Sequence, residues 1–114
     1  MPEAWRRAVF RWHRWNRRHL TEVDGRPAPD RNEEYLLYQT LVGAWPTGRA
    51  PGPLPDDFAP RIQAYLQKAA REAKLHTSWV NPAEEYDAAL GAFVAAILRP
   101  APGNRFLEDF VLFH

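Results

Sequence analysis

The sequence predicts an all-α fold: a small bundle of four to five helices with a Pro/Gly-rich irregular linker. Three observations carry this. Apolar residues recur at helical spacing along most of the chain, and no segment alternates convincingly with period two. Helix-start residues stand in front of several of these runs. The stretch "PTGRAPGPLPDD", residues 46–57, has four Pro and two Gly in twelve residues, which no regular element tolerates.

The first helix is expected over residues 2–20, with Pro2 suited to its first turn. At about 100° per residue, Trp5, Ala8, Val9, Trp12, Trp15, Asn16, His19 and Leu20 share a broad face. Arg7, Arg11, Arg14 and Arg18 stack opposite, and Phe10 interrupts that charged side. Residues 21–30, with Asp24-Gly25 and two prolines, read as a loop. Asp30 then caps the second helix, and Glu33 completes a capping-box pair. That helix runs through Tyr35, Leu36, Tyr38, Leu41 and Val42 and stops at Trp45-Pro46. After the linker, Asp57 starts a third helix whose seam is Ile62, Leu66, Ala69 and Ala73, with Tyr65 at its edge. Arg71 and Lys74 fall in its last turn, where cations complement the helix dipole. Asn81, Pro82 and Glu84 spell the start of a fourth helix, with Tyr86, Leu90, Phe93, Val94, Ile97 and Leu98 as its apolar set. "RPAPG" ends it. Asn104 opens a short fifth segment bearing Phe106, Leu107, Phe110 and Phe113.

A chain of 114 residues forms one domain, here 1–114, with one modest core. Fifteen Lys and Arg against fourteen Asp and Glu give no overall bias toward a polyanionic partner. With no cysteine, disulfides, thiolate metal sites and cysteine nucleophiles are excluded, and a reducing, cytoplasmic setting is expected. No apolar run reaches the roughly 18 residues of a membrane span, and no signal-peptide pattern opens the chain. The five Trp fit a large aromatic core, a sugar-binding surface or an opened interface, and composition does not choose among them.

The polar motifs each have a plain structural reading. In "REAKLHTSWVNP", residues 71–82, His76, Thr77 and Ser78 join two helices; catalysis would need a base oriented by a carboxylate and aimed at a nucleophile. His13, His19, His76 and His114 lack the helical spacing of metal ligands, so neither metal nor cofactor is expected. His19 reads as a partly buried histidine bonded to a backbone carbonyl. Six Arg against one Glu in residues 1–20 could hold an acidic partner or RNA, but a solvated or acid-paired basic face is favoured. The pairs Glu33-Glu34, Asp56-Asp57 and Glu84-Glu85 stand at helix starts, where negative charge has its own electrostatic reason. None of them requires a catalytic role.

Two long stretches, "RNEEYLLYQTLVGAWP" (31–46) and "YLQKAAREAKLHTSWVNPAEEYDAAL" (65–90), resemble the maltooligosyltrehalose synthase family of the α-amylase superfamily. "AVFRWHRWNRRH" before them and "FLEDFVLF" after them fit the same pattern. The resemblance implies a much longer parent enzyme that isomerises the reducing-end α-1,4 bond of a maltooligosaccharide to the α,α-1,1 bond of trehalose. It implies that the catalytic carboxylates sit on a barrel, that this chain is a helical insertion between late barrel strands, and that helix continues past His114. The expected partner is then that catalytic barrel, and a lone fragment is expected to be inactive and to self-associate through apolar surface. If any residues here meet sugar, peripherally, they are Trp79, His76, Lys74 and Arg71: an indole face for stacking and donors for hydroxyls.

Overall fold

The computed structural model describes residues 3–46, 54–73 and 82–113. They form five α-helices and one two-stranded hairpin around a shared core. Among these residues no helix is long and apolar enough to cross a membrane.

Helix α1 is Glu3–Asn16, followed by a 3₁₀ turn, Arg17–His19. The expected single helix over 2–20 therefore tightens at its C-terminal end, a common way to satisfy the last carbonyls; Leu20 N–H bonds Arg17 O at 3.2 Å. Residues 21–28 are not a loop. They form an antiparallel hairpin of β1 (Thr21–Val23) and β2 (Arg26–Ala28), with Val23 opposite Arg26. Asp24 and Gly25 both take positive φ, 56° and 80°, as a type I′ turn requires. Glu22 faces Pro27 at the next pair, where an antiparallel ladder makes no mutual hydrogen bonds, so the missing proline N–H costs nothing. Val23 and Ala28 are buried, and the hairpin leans on α4.

Helix α2 (Arg31–Ala44) begins with the expected capping box. Asp30 accepts from Glu33 N–H, and the Glu33 side chain accepts from Asp30 N–H. Helix α3 (Phe58–Ala73) buries Phe58, Ile62, Leu66 and Ala70. The seam thus passes through Ala70 rather than through Ala69, which is half-buried, or Ala73, which is exposed. The cause lies on one flank. Gln63 and Gln67 donate to the Gly91 and Asp87 carbonyls at 2.7 and 2.8 Å, which draws that side of α3 onto α4. A Cβ on Gly91 would come within 3.1 Å of Gln67 Nε2, tight enough that the glutamine amide would have to shift by a few tenths of an ångström.

Helix α4 (Pro82–Leu98) buries all six apolar positions read from the sequence. Asn104 caps α5 (Arg105–Phe113): its Oδ1 accepts from Leu107 N–H at 2.9 Å, while its Nδ2 donates to the Ile97 and Arg99 carbonyls. The core of the α1, α2 and α5 side is aromatic. Trp12, fully buried, meets Tyr38, Phe106 and Phe110 at centroid distances of 5.3, 5.6 and 5.3 Å, mostly edge to face or tilted.

Candidate functional site

Buried charge is the feature most in need of explanation, because an ionised group out of water is costly unless paired. Glu33 and Glu34 are 7% and 2% exposed, in the first turn of α2. An acidic first turn was expected; its burial was not. Glu34 reaches α1: its Oε1 lies 2.8 Å from His13 Nδ1, and its Oε2 accepts from Tyr38 OH at 2.7 Å. Asn16 Nδ2 donates to the Tyr38 hydroxyl oxygen at 3.0 Å and closes the chain of bonds. Glu33 Oε1 takes the capping-box bond and one from the Tyr86 hydroxyl of α4; its Oε2 is buried with no partner among the described residues.

Both tyrosines are held protonated. Burial raises the Tyr38 hydroxyl far above its ordinary range, and Glu34 beside it adds to the effect. Burial and the Glu33 carboxylate do the same for Tyr86. They are hydrogen-bond donors, not bases or nucleophiles. A small pocket of about 130 Å³ adjoins the cluster, lined by Val9, His13, Arg31, Glu34, Tyr35 and Tyr38. The His13–Glu34 pair has the form of an oriented imidazole. Yet Glu34 spends both oxygens on its partners, and no serine, threonine or cysteine lines the pocket. Chemically the arrangement is a clasp between α1, α2 and α4.

A half-buried ion pair fixes α5 to α1. Asp109 Oδ2 accepts from Arg11 Nε and Nη2 at 3.2 and 2.7 Å and from Trp12 Nε1 at 2.8 Å. Burial pushes the Asp109 carboxyl up, but the bonds from Arg11 and Trp12 outweigh it and hold the group below its ordinary value. The basic face of α1 is thereby partly used within the protein. Arg18 donates to Gly103 O at 3.2 Å, and Arg105 lies over the Trp15 ring at 5.2 Å. Arg18 Nε also donates to His19 Nε2 at 3.3 Å, so the described bond of His19 is to a neighbouring arginine, not to the expected carbonyl. Burial, with Arg18 and Arg99 nearby, lowers the His19 pKa.

Of the four expected sugar-contacting residues, Lys74, His76 and Trp79 lie outside the described residues, as does the Asn81 cap. Arg71 is described. Its guanidinium grips Asp87 Oδ2 at 3.1 and 2.6 Å, tying α3 to α4. The residues that sequence reasoning passed over are His13, Asn16, Glu33, Glu34 and Asp109. Asn16 carries the one sequence signal of this network: it stands on the tryptophan face of α1, and a polar residue there needs a buried partner.

No protein-family model matches the chain. Proteins from two strains of Mycobacterium tuberculosis, each provisionally named a maltooligosyl trehalose synthase, are 38% identical to it over 61 residues, which is 54% of this chain and 8% of each relative. The crystal structure of a hypothetical maltooligosyl trehalose synthase from Sulfolobus tokodaii matches with a TM-score of 0.69 and 30% identity, over 99% of this chain and 14% of that one. This chain therefore spans only a small part of the proteins it matches. In sequence and in fold, it resembles a segment of maltooligosyl trehalose synthase, the family suggested by residues 31–46 and 65–90.

Proposed function

We propose that this chain is a non-catalytic helical subdomain of a maltooligosyl trehalose synthase. In this reading the parent is a cytoplasmic enzyme whose catalytic carboxylates lie on a barrel outside this segment. The parent converts the reducing-end α-1,4 bond of maltooligosaccharides to the α,α-1,1 bond of trehalose. One observation carries the reading: 99% of this chain corresponds to 14% of a single, far longer chain. The more deeply placed carboxylates agree with it, because each is engaged within the fold. Rearranging a glycosidic bond calls for two carboxyl groups flanking an accessible sugar. Glu33 and Glu34 are buried within a clasp, and Asp87 and Asp109 are paired with Arg71 and Arg11.

The test is direct. The purified 114-residue chain incubated with maltopentaose is expected to leave the anomeric proton spectrum unchanged. New α,α-1,1 signals would overturn the reading. Binding of an acidic partner or RNA through α1 is the weaker alternative, because Arg11 and Arg18 are engaged by Asp109 and Gly103. Sugar contact through Trp79, His76, Lys74 and Arg71 is proposed as peripheral at most, with Arg71 already paired. In the full enzyme, Trp79→Ala should raise KM and leave kcat near its original value; unchanged KM would remove the contact.

A further inference from the structure

Helix α5 packs through one face and ends in a turn that this packing cannot cover. Phe106 and Phe110, four residues apart, point into the aromatic core and are fully buried. Successive helical side chains diverge by about 100°, so Val111 and Leu112 point away from that core. They are 55% and 85% exposed. Phe113 returns toward Trp12 and Trp5, at 5.4 and 5.9 Å, and is still 38% exposed. The last turn is apolar all round, the pattern of a helix enclosed on every side.

Resting on the reading above, we propose that Val111, Leu112 and the outer edge of Phe113 form the surface on which the remainder of the longer enzyme chain seats. Two arguments choose this occupant over a second copy. The matched fold is embedded in a chain about seven times as long, which supplies ample covering surface. Magnitude also decides. A stable dimer needs about 800 Å² from each partner, and three side chains on one helical turn supply far less than that. Within one chain, covalent linkage removes most of the entropic cost of association, so a small apolar patch is enough.

The test compares two contexts. In the isolated chain, Leu112→Glu and Val111→Glu should leave the thermal midpoint and helical circular dichroism unchanged, because both side chains already face water. In the Sulfolobus tokodaii enzyme with its matching segment replaced by this chain, each should lower the midpoint by several degrees and cut trehalose formation. Lys68→Glu, exposed on α3, should do neither. Equal behaviour of Leu112→Glu and Lys68→Glu in the chimaera would overturn the docking surface while leaving the parent assignment standing. A chimaera that folds but forms no trehalose linkage would overturn the assignment and, with it, this surface. Self-association of the isolated chain that Leu112→Glu abolishes would make a second copy the occupant and also overturn the proposal.

Discussion

The two sides of the molecule are held together by different means. Where α1, α2 and α5 meet, large rings carry polar handles that are all engaged: Trp12 of α1 reaches Asp109 of α5, and Tyr38 of α2 donates to Glu34 one turn earlier and accepts from Asn16 of α1. Where α3 meets α4, two glutamines bond backbone carbonyls at and near Gly91, apolar seams of both helices join the core, and the charged contact, Arg71–Asp87, sits near the solvent. The first interface depends on pairs that fail badly if one partner is lost. The second spreads its stability over many small contacts. A buried polar network therefore concentrates risk, whereas a close helix approach dilutes it.

The sharpest way to break this contrast is Trp12→Ala. It opens a large cavity and leaves Asp109 short of a donor, and should cost about 4 kcal/mol in urea unfolding. Next is Glu34→Ala, which strands His13 and the Tyr38 hydroxyl and should cost about 3 kcal/mol. Loss of well under 1 kcal/mol would mean that the clasp contributes little to stability. On the other side, Gly91→Val forces a branched side chain against Gln63 and Gln67 and should cost about 2 kcal/mol by overpacking. Gln63→Ala removes one bond to a carbonyl and should cost about 1 kcal/mol. A larger effect for Gln63→Ala than for Glu34→Ala would reverse the comparison.

The smallest expected effect is a pH dependence. The bonds from Arg11 and Trp12 hold the folded-state pKa of Asp109 below its ordinary value of 3.8. Its contribution is therefore present above that value and is lost as pH falls through the folded-state pKa. Asp109→Asn should thus be less stable than the parent near pH 7, and the gap should close in acid. A gap that stays constant down to pH 2 would assign the effect to packing rather than charge.

Legibility in the sequence followed the range of the interaction. The Asp30–Glu33 box, the Asn104 cap and the apolar set of α4 depend on residues within a few positions of one another, and local spacing revealed them. The hairpin was missed because its strands are three residues each, too short to show alternation, although Asp24-Gly25 is a strong turn signal. The route of the α3 seam through Ala70 depends on Gln63 and Gln67 meeting α4, which no period on α3 encodes. Burial of Glu33 and Glu34 was hidden for another reason. Their place at a helix start already had an adequate electrostatic explanation, and their partners His13 and Tyr86 are 21 and 53 residues away.

One oxygen of Glu33 serves two masters: the backbone amide that starts α2 and the phenol of Tyr86 on a helix far along the chain. Initiation of α2 is thereby linked to the arrival of α4, so neither event is purely local. Amide exchange at the opening residues of α2 would report whether α4 has docked, which makes the helix start a built-in gauge of assembly.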